Sequence, residues 1–144
     1  GLCLVGSEMC IRDSLKDLVE KIVTVPLPHW NGKNDCLHLM SNLSPIDHNL
    51  FLIYPRLLPV SFIQFLLYRK IELIEVPDSE YNSMGCNVLA VGNKKVVMID
   101  GNPITKDLLE KKDIQVFTYN GSEISLKGAG GPTCLTRPFL RTSF

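Results

Sequence analysis

The feature that most constrains the fold of this chain is an internal repeat of a strand, a helix and a second strand. The two copies, each given as strand, helix and strand, are 49–54, 59–70 and 71–77, and 94–100, 102–113 and 114–120. Ile71 and Ile114 occupy equivalent places, 43 residues apart. In the second copy Asn102 is expected to be the helix N-cap and Pro103 the first helical residue. Short strands that alternate with helices predict an α/β fold, and repetition predicts a ring or a solenoid.

A third, truncated copy is predicted upstream, as a strand at 21–27, a loop and a second strand at 36–42. Each of the three copies carries a distinctive polar residue at its end, and these are His38, Asn87 and Cys134. Equivalent positions of successive units in a ring point toward its axis. We therefore expect the three side chains to converge on one concave site. The alternative is an ordinary open sheet, which would leave them apart.

Cys134 is the candidate nucleophile because of the loop that carries it, GAGGPTCLTRP. Glycine is favoured where a backbone takes positive φ or comes close to another group. A loop this rich in glycine is therefore expected to hold Cys134 in a defined position and not merely to bury it. The thiolate is the reactive form of cysteine, and a nearby histidine such as His38 or aimed backbone N–H groups stabilise it. Gly130 and Gly131 are expected beside the sulfur, and Asn87 on the wall of the site. The alternatives are a cysteine packed behind a turn and a histidine satisfied in the core.

Composition narrows the class of partner. The chain has 144 residues, is 45% hydrophobic and carries 15 basic and 15 acidic residues, which fits one globular domain without a charged patch. No nucleic acid and no membrane surface is therefore expected as a partner, and a small molecule is favoured. The apolar stretch 50–68 contains Pro55, Arg56 and Pro59, so it predicts a strand followed by a buried helix, not a membrane span.

The first fourteen residues are expected to lie outside the fold. Glu8 to Ser14 match the translation of a transposon end used in sequencing libraries, so 1–14 are interpreted as a sequencing-adapter or cloning scar. Residues 15–144 are then interpreted as the C-terminal part of a single domain of a longer protein.

The cysteines indicate a reducing compartment. Outside that first segment three remain, Cys36, Cys86 and Cys134, and no CxxC pair occurs. Neither a disulfide framework nor a zinc site is indicated, and a cytoplasmic location is expected. Cys36 and Cys86 are predicted to be core residues.

Several motifs in order resemble one enzyme superfamily: CLHLMS, SPIDHNLFLIYPRLLP, MGCNVLAV, IDGNP and ISLKGAGGPTCLTRP. They are similar to the C-terminal part of the guanidino-modifying superfamily, which includes dimethylarginine dimethylaminohydrolases, arginine deiminases and amidinotransferases. The resemblance runs from about Val23 to Arg141. It implies a pentein fold, a five-fold pseudosymmetric α/β propeller of ββαβ repeats, of which about half is present. It therefore agrees with the repeat found in the sequence.

The resemblance also implies a chemistry. Cys134 would attack the central carbon of a guanidinium, and His38 would protonate the departing amine to leave a covalent thiouronium intermediate. Water activated by His38 would then release a ureido product, with no metal or organic cofactor. The substrate implied is arginine or a methylated arginine.

Two positions depart from parts of the superfamily. Arginine deiminases and amidinotransferases have an aspartate two residues after the catalytic histidine, and Met40 stands there. Deiminases tend to place a histidine before the nucleophile, where this chain has Thr133. Both positions resemble the dimethylarginine hydrolases, and Met40 is expected to make room for an N-substituent in the pocket.

Two alternatives remain beside a hydrolase of guanidino C–N bonds. One is an amidinotransferase, which Met40 disfavours. The other is an inactive pentein that acts as a ligand-binding or interaction module. The family's acidic partner of the histidine lies upstream of this chain, so the 144-residue chain alone is expected to be inactive.

Overall fold

The computed structural model describes residues 8–28, 30–32 and 38–137. These residues form short strands and helices in alternation. In chain order the elements are α1 (Glu8–Leu15), α2 (Leu39–Asn42), β1 (Leu43–Asp47), β2 (Leu50–Ile53), a 3₁₀ turn (Pro55–Leu57), α3 (Val60–Tyr68), β3 (Glu72–Glu75), α4 (Asp78–Tyr81), β4 (Leu89–Gly92), β5 (Lys95–Ile99), α5 (Pro103–Glu110), β6 (Gln115–Tyr119), a π turn (Ser122–Leu126) and α6 (Pro132–Leu135).

The strands form two three-stranded sheets of the same design. In the first sheet β1 pairs with β2 antiparallel and β2 pairs with β3 parallel, with α3 as the crossover. In the second sheet β4, β5 and β6 pair in the same way, with α5 as the crossover. Each sheet is therefore one ββαβ unit, and the predicted repeated α/β unit is confirmed.

The two units match in the detail of their helix ends. Lys70 and Asp113 both have φ of 59°, the left-handed conformation that commonly ends a helix. The next residue in each unit, Ile71 or Ile114, donates its N–H back into the last helical turn. Because these pairs are all 43 residues apart, the spacing found in the sequence marks the same turn in both units.

The core explains why the first sheet has an apolar central strand. Leu50 and Leu52 face a large cluster of buried side chains, which also contains Met98 of the second sheet and Leu109 of α5. Ile53 faces the other way, into a second cluster. That cluster lies on the side of α3 and includes Leu43, Leu58 and Leu66. Since successive side chains of a strand point to opposite faces, a strand covered on both faces is a continuous apolar run.

A buried serine joins the two units where β1 lies beside β4. Ser44 Oγ donates to the carbonyl of Cys86 at 2.7 Å and accepts the N–H of Val88 at 3.1 Å. The loop before β4 is therefore fixed to the first strand of the preceding unit.

The loops that follow the third strands differ in length. Met84 and Ala129 both have positive φ, and the glycines after them donate to Glu80 and Ser125 in equivalent bonds. These pairs are 45 residues apart, so the second unit is two residues longer here than the first. The extra length lies where the second unit has a π turn and the first has the α-helix α4.

Several expectations about the N-terminal third are wrong. Residues 21–27 are not a strand, and Leu39–Asn42 is a helix where a strand was predicted. Residues 8–14 belong to α1, although no element was expected before residue 15. Cys86 is buried as predicted but lies in a turn, and Cys36 lies outside the described residues.

No helix in the described part of the chain is long and apolar enough to cross a membrane.

Candidate active site

The topology brings the loops that carry the predicted site residues to corresponding edges of the two sheets. Leu43 at the start of β1 pairs with Ile53 at the end of β2. Leu89 at the start of β4 pairs with Val97 in the middle of β5, and Gly92 at the end of β4 pairs with Lys95 at the start of β5. Each first strand therefore begins at the edge where the two parallel strands of its unit end. His38 precedes β1, Asn87 precedes β4 and Cys134 follows β6, so all three lie at such an edge.

Cys134 lies in the single turn of α6 and is exposed. Gly131 is the N-cap of this helix, and its carbonyl accepts the N–H of Cys134 at 3.0 Å. Thr136 Oγ1 donates to the carbonyl of Pro132 at 2.7 Å, which closes the other side of the turn. An exposed thiol on a fixed turn is available to a ligand.

Asn87 is buried and contacts this turn through both ends of its side chain. Its Oδ1 accepts the N–H of Thr133 at 3.0 Å and the Oγ1–H of the same residue at 2.8 Å. Its Nδ2 donates to Sγ of Cys134 at 3.5 Å. The structure thus brings together Asn87 and Cys134, two residues that the sequence placed in one site.

The glycines of the loop give the backbone room to approach other groups. A Cβ on Gly131 would lie 2.4 Å from Cγ of Asn87, and one on Gly130 would lie 3.3 Å from Cβ of Cys134. A Cβ on Gly128 would lie 2.5 Å from the carbonyl oxygen of Ile124. Of the two reasons for glycine that the sequence left open, positive φ does not apply to these three, since in this loop it falls on Ala129, at 53°. Close approach is therefore the reason for glycine here.

His38 lies exposed at the N-cap of α2, where its carbonyl accepts the N–H of Ser41 at 2.9 Å. Met40 is half-buried within that helix. The residues after His38 are helical, so the strand alternation that would put His38 and Met40 on one face is absent. The convergence of His38 with Cys134 and the place of Met40 in the pocket stay predictions.

A network of aromatic side chains fixes α2 against the loop before β4. Asn42 at the end of α2 is fully buried and accepts the hydroxyl of Tyr81 at 2.9 Å. Tyr81 stacks on Tyr54 with ring centroids 4.0 Å apart. Burial, and next the hydrogen bond to Asp78, raise the pKa of Tyr54 above its usual value. The helix α2, whose N-cap is His38, is thus fixed to the rest of the fold.

A polar pocket of about 340 Å³ lies at the carboxyl ends of β2 and β3. Its lining includes Tyr54, Arg56, Glu75 and Asp78, and Arg56 pairs with Asp78 at 2.7 Å. In the described part of the chain no group of three or more His, Cys, Asp or Glu side chains could hold a metal ion.

Sequence reasoning missed the part that Thr133 plays in this site. Its N–H and hydroxyl hold the amide of Asn87, which lies 46 residues earlier in the chain. No local sequence pattern indicates that Thr133 and Asn87 are hydrogen-bonded. The glycine at position 131 is a weak indication that the loop comes close to another group there.

The chain is similar to several known proteins. A family model of arginine deiminase matches residues 58–141. An arginine deiminase of Staphylococcus aureus (strain JH9) is 34% identical over 84 residues, which cover 58% of this chain and 20% of that protein. The chain spans only 36% and 20% of the lengths of two curated relatives that it matches.

Two solved structures resemble the chain. The N-terminal domain of ArgZ, a cyanobacterial arginine dihydrolase solved with its product, has a TM-score of 0.70 at 21% identity, over 92% of this chain and 46% of its own. DDAH from Pseudomonas aeruginosa, a mutant solved with citrulline, has a TM-score of 0.55 at 27% identity, over 69% of this chain and 35% of its own. A variant of the ArgZ domain has been solved covalently bound to a reaction intermediate.

Proposed function

The chain belongs to the arginine deiminase family and has part of the pentein fold, and from this premise we propose that the full-length protein hydrolyses a C–N bond of a guanidino compound. The observation that carries the proposal is the thiol of Cys134, exposed on a fixed turn with the amide of Asn87 donating to its sulfur. The thiolate is the nucleophilic form of cysteine, and an exposed sulfur can be reached by a substrate.

The proposed reaction begins with attack on a poor electrophile. A guanidinium is delocalised and stays protonated in proteins, so its central carbon needs a strong nucleophile. Sγ of Cys134 forms a bond to that carbon, and the C–N bond to the leaving amine breaks. The amine leaves with a proton from His38, and a covalent thiouronium remains. A covalently bound reaction intermediate in the ArgZ domain, which resembles this chain in fold, supports a covalent intermediate.

The second half of the reaction returns the enzyme to its first state. A water molecule gives a proton to His38 and attacks the thiouronium carbon. The C–S bond then breaks, the remaining proton of the added hydroxyl passes to solvent, the thiolate of Cys134 is regenerated and a ureido product leaves. His38 gives and takes one proton per cycle, so the same side chain serves both halves.

The first prediction concerns activity of the full-length protein. Cys134→Ser is expected to abolish turnover of arginine and of methylated arginine while substrate still binds, because a serine hydroxyl is a far weaker nucleophile. His38→Ala is expected to be comparably damaging. Release of amine or ammonia measures turnover, and calorimetry measures binding.

Cys86→Ala is the matched control for these variants. Burial raises the pKa of Cys86 to about 12, so its thiol is not a nucleophile at neutral pH. A folded Cys86→Ala variant is expected to retain turnover. Normal turnover by Cys134→Ser would reject the proposal.

The substrate within this class is proposed from Met40. A methionine where relatives have aspartate removes one anion that would bind an unsubstituted guanidinium, and it accommodates an apolar substituent. We therefore expect a larger kcat/KM for a methylated arginine than for arginine. The opposite ratio would reject the argument from Met40 and leave the hydrolase intact.

A further inference from the structure

The amide of Asn87 has only one orientation that fits its neighbours. The N–H of Thr133 is a donor and has no acceptor capacity, so the side-chain atom 3.0 Å from it must be the oxygen of Asn87. The nitrogen, Nδ2, therefore faces Sγ of Cys134, at 3.5 Å. One amide thus links the residue before the thiol to the thiol itself.

Asn87 is also fixed on its backbone side. Its own N–H donates to the carbonyl of Met84 at 2.9 Å, and the next N–H, of Val88, donates to Ser44 Oγ at 3.1 Å. Only 5% of Asn87 is exposed, and Gly131 lies directly against its side chain. A buried amide that is fixed through both its backbone and its side chain has little freedom to reorient.

We propose that Asn87 is a positioning residue for the nucleophile: its Oδ1 holds the turn of α6 through Thr133, and its Nδ2 holds the sulfur of Cys134 in one direction. This inference rests on the proposed function, since it assigns the sulfur as the attacking atom. It adds a residue that acts on the nucleophile from the preceding ββαβ unit.

Asn87→Asp in the full-length protein isolates the donor. The carboxylate is nearly isosteric and still accepts from Thr133, but it offers no N–H to the sulfur and places a negative charge beside it. Loss of a hydrogen bond to a charged group predicts a fall in kcat of about 10- to 100-fold. KM is expected not to rise, because the added carboxylate attracts the cationic guanidinium of the substrate, so the loss is confined to kcat.

A second measurement reports the reactivity of the Cys134 thiol in the absence of substrate. Alkylation of Cys134 by iodoacetamide, measured as a function of pH by mass spectrometry of its peptide, reports the thiolate. In Asn87→Asp the whole profile is expected to move to higher pH, since a carboxylate disfavours a neighbouring anion. Asn82→Asp makes the same chemical change at an exposed position of the same loop and is expected to move neither kcat nor the profile.

A milder variant keeps the test open if Asn87→Asp does not fold. Thr133→Val leaves the N–H in place and removes the hydroxyl, which donates to Oδ1 at 2.8 Å and also lies 4.0 Å from Sγ of Cys134. It is expected to move the profile in the same direction by less. An unchanged alkylation profile in every folded variant would overturn the inference.

The two measurements, kcat and the alkylation profile, distinguish a failure of this inference from a failure of the proposed function. If the wild-type protein turns over guanidines and Asn87→Asp matches it in kcat and in alkylation, the role of Asn87 is wrong and the hydrolase stands. If the wild-type protein has no such turnover but the profile moves as expected, the role of Asn87 at the thiol stands and the proposed reaction is wrong.

Discussion

Gly131 shows how one residue without a side chain sets the geometry of another. Its backbone is extended, with φ of −77° and ψ of −174°, so any residue could adopt its conformation. What excludes other residues is Asn87, whose Cγ, Oδ1 and Cβ lie 2.4 to 2.7 Å from where a Cβ would be. The need for glycine at this position is therefore steric and comes from the preceding unit.

Gly131→Ala is expected to displace Asn87 and to destabilise the full-length protein. Overpacking of this kind costs about 1–3 kcal/mol, which urea unfolding measures. Ala129→Gly, in the same loop, is the matched control, because the left-handed φ of 53° favours glycine there. It is expected to leave stability unchanged or slightly higher. A Gly131→Ala protein as stable as the wild type would contradict the steric argument.

The helix α5 shows how an element is completed by a distant residue. The sequence correctly predicted its N-cap, Asn102, with Pro103 next, but the side chain of Asn102 makes no capping bond. It bonds instead to Ser83 and to the carbonyl of Ile99. The first free N–H groups of the helix, those of Ile104 and Thr105, donate to the buried carboxylate of Glu80 at 2.7 and 2.8 Å.

Glu80→Ala is therefore expected to destabilise the full-length protein by about 2 kcal/mol, because it leaves two helix donors without an acceptor. Glu80→Gln retains one acceptor oxygen and is expected to cost less. Glu110→Ala, at an exposed position of α5 itself, is the control and is expected to stay within about 0.5 kcal/mol of the wild type. Equal losses at both positions would mean that Glu80 does not cap the helix.

Local pattern explains which elements could be predicted. The helices α3 and α5 and the strands after them were predicted because their apolar periodicity and end signals are local. The strand β1 was missed because Pro45 and Asp47 are poor strand residues, and pairing with β2 overrides that preference. Residues 21–27 have the β-branched composition of a strand but do not form one.

The site was predictable only as far as residue types allow. The glycine-rich loop pointed to Cys134, and the repeat pointed to Asn87. The hydrogen bonds from Thr133 could not be predicted, since they depend on the packing of one unit against the next.

At the scale of the whole molecule, the two ββαβ units share the larger of the two core clusters. The stretch from Arg12 to Lys21 lies outside that cluster. Among the residues whose burial the structure describes, Asn42 is the first that is buried, and every residue from Arg12 to Lys21 is exposed. Leu27 is the first residue that packs against a core cluster. The core therefore begins well after the segment that the sequence set aside.

Deletion of residues 1–14 from the full-length protein is expected to change the Tm by no more than about a degree. Deletion of residues 1–28 is the comparison, and it is expected to lower the Tm because it also removes Leu27. Scanning calorimetry measures both. A fall of several degrees for the shorter deletion, which corresponds to about 1 kcal/mol or more, would show that residues 1–14 belong to the fold.

The two extra residues and the π turn after β6 can be explained if the repeat arose by gene duplication. π turns recur at functional sites. After a duplication one copy is free to diverge while the other keeps its original duty. Here the first copy retains Glu80, which completes the next helix, and the second has changed its length just ahead of Cys134. The longer of the two loops is thus the one that leads to the proposed nucleophile.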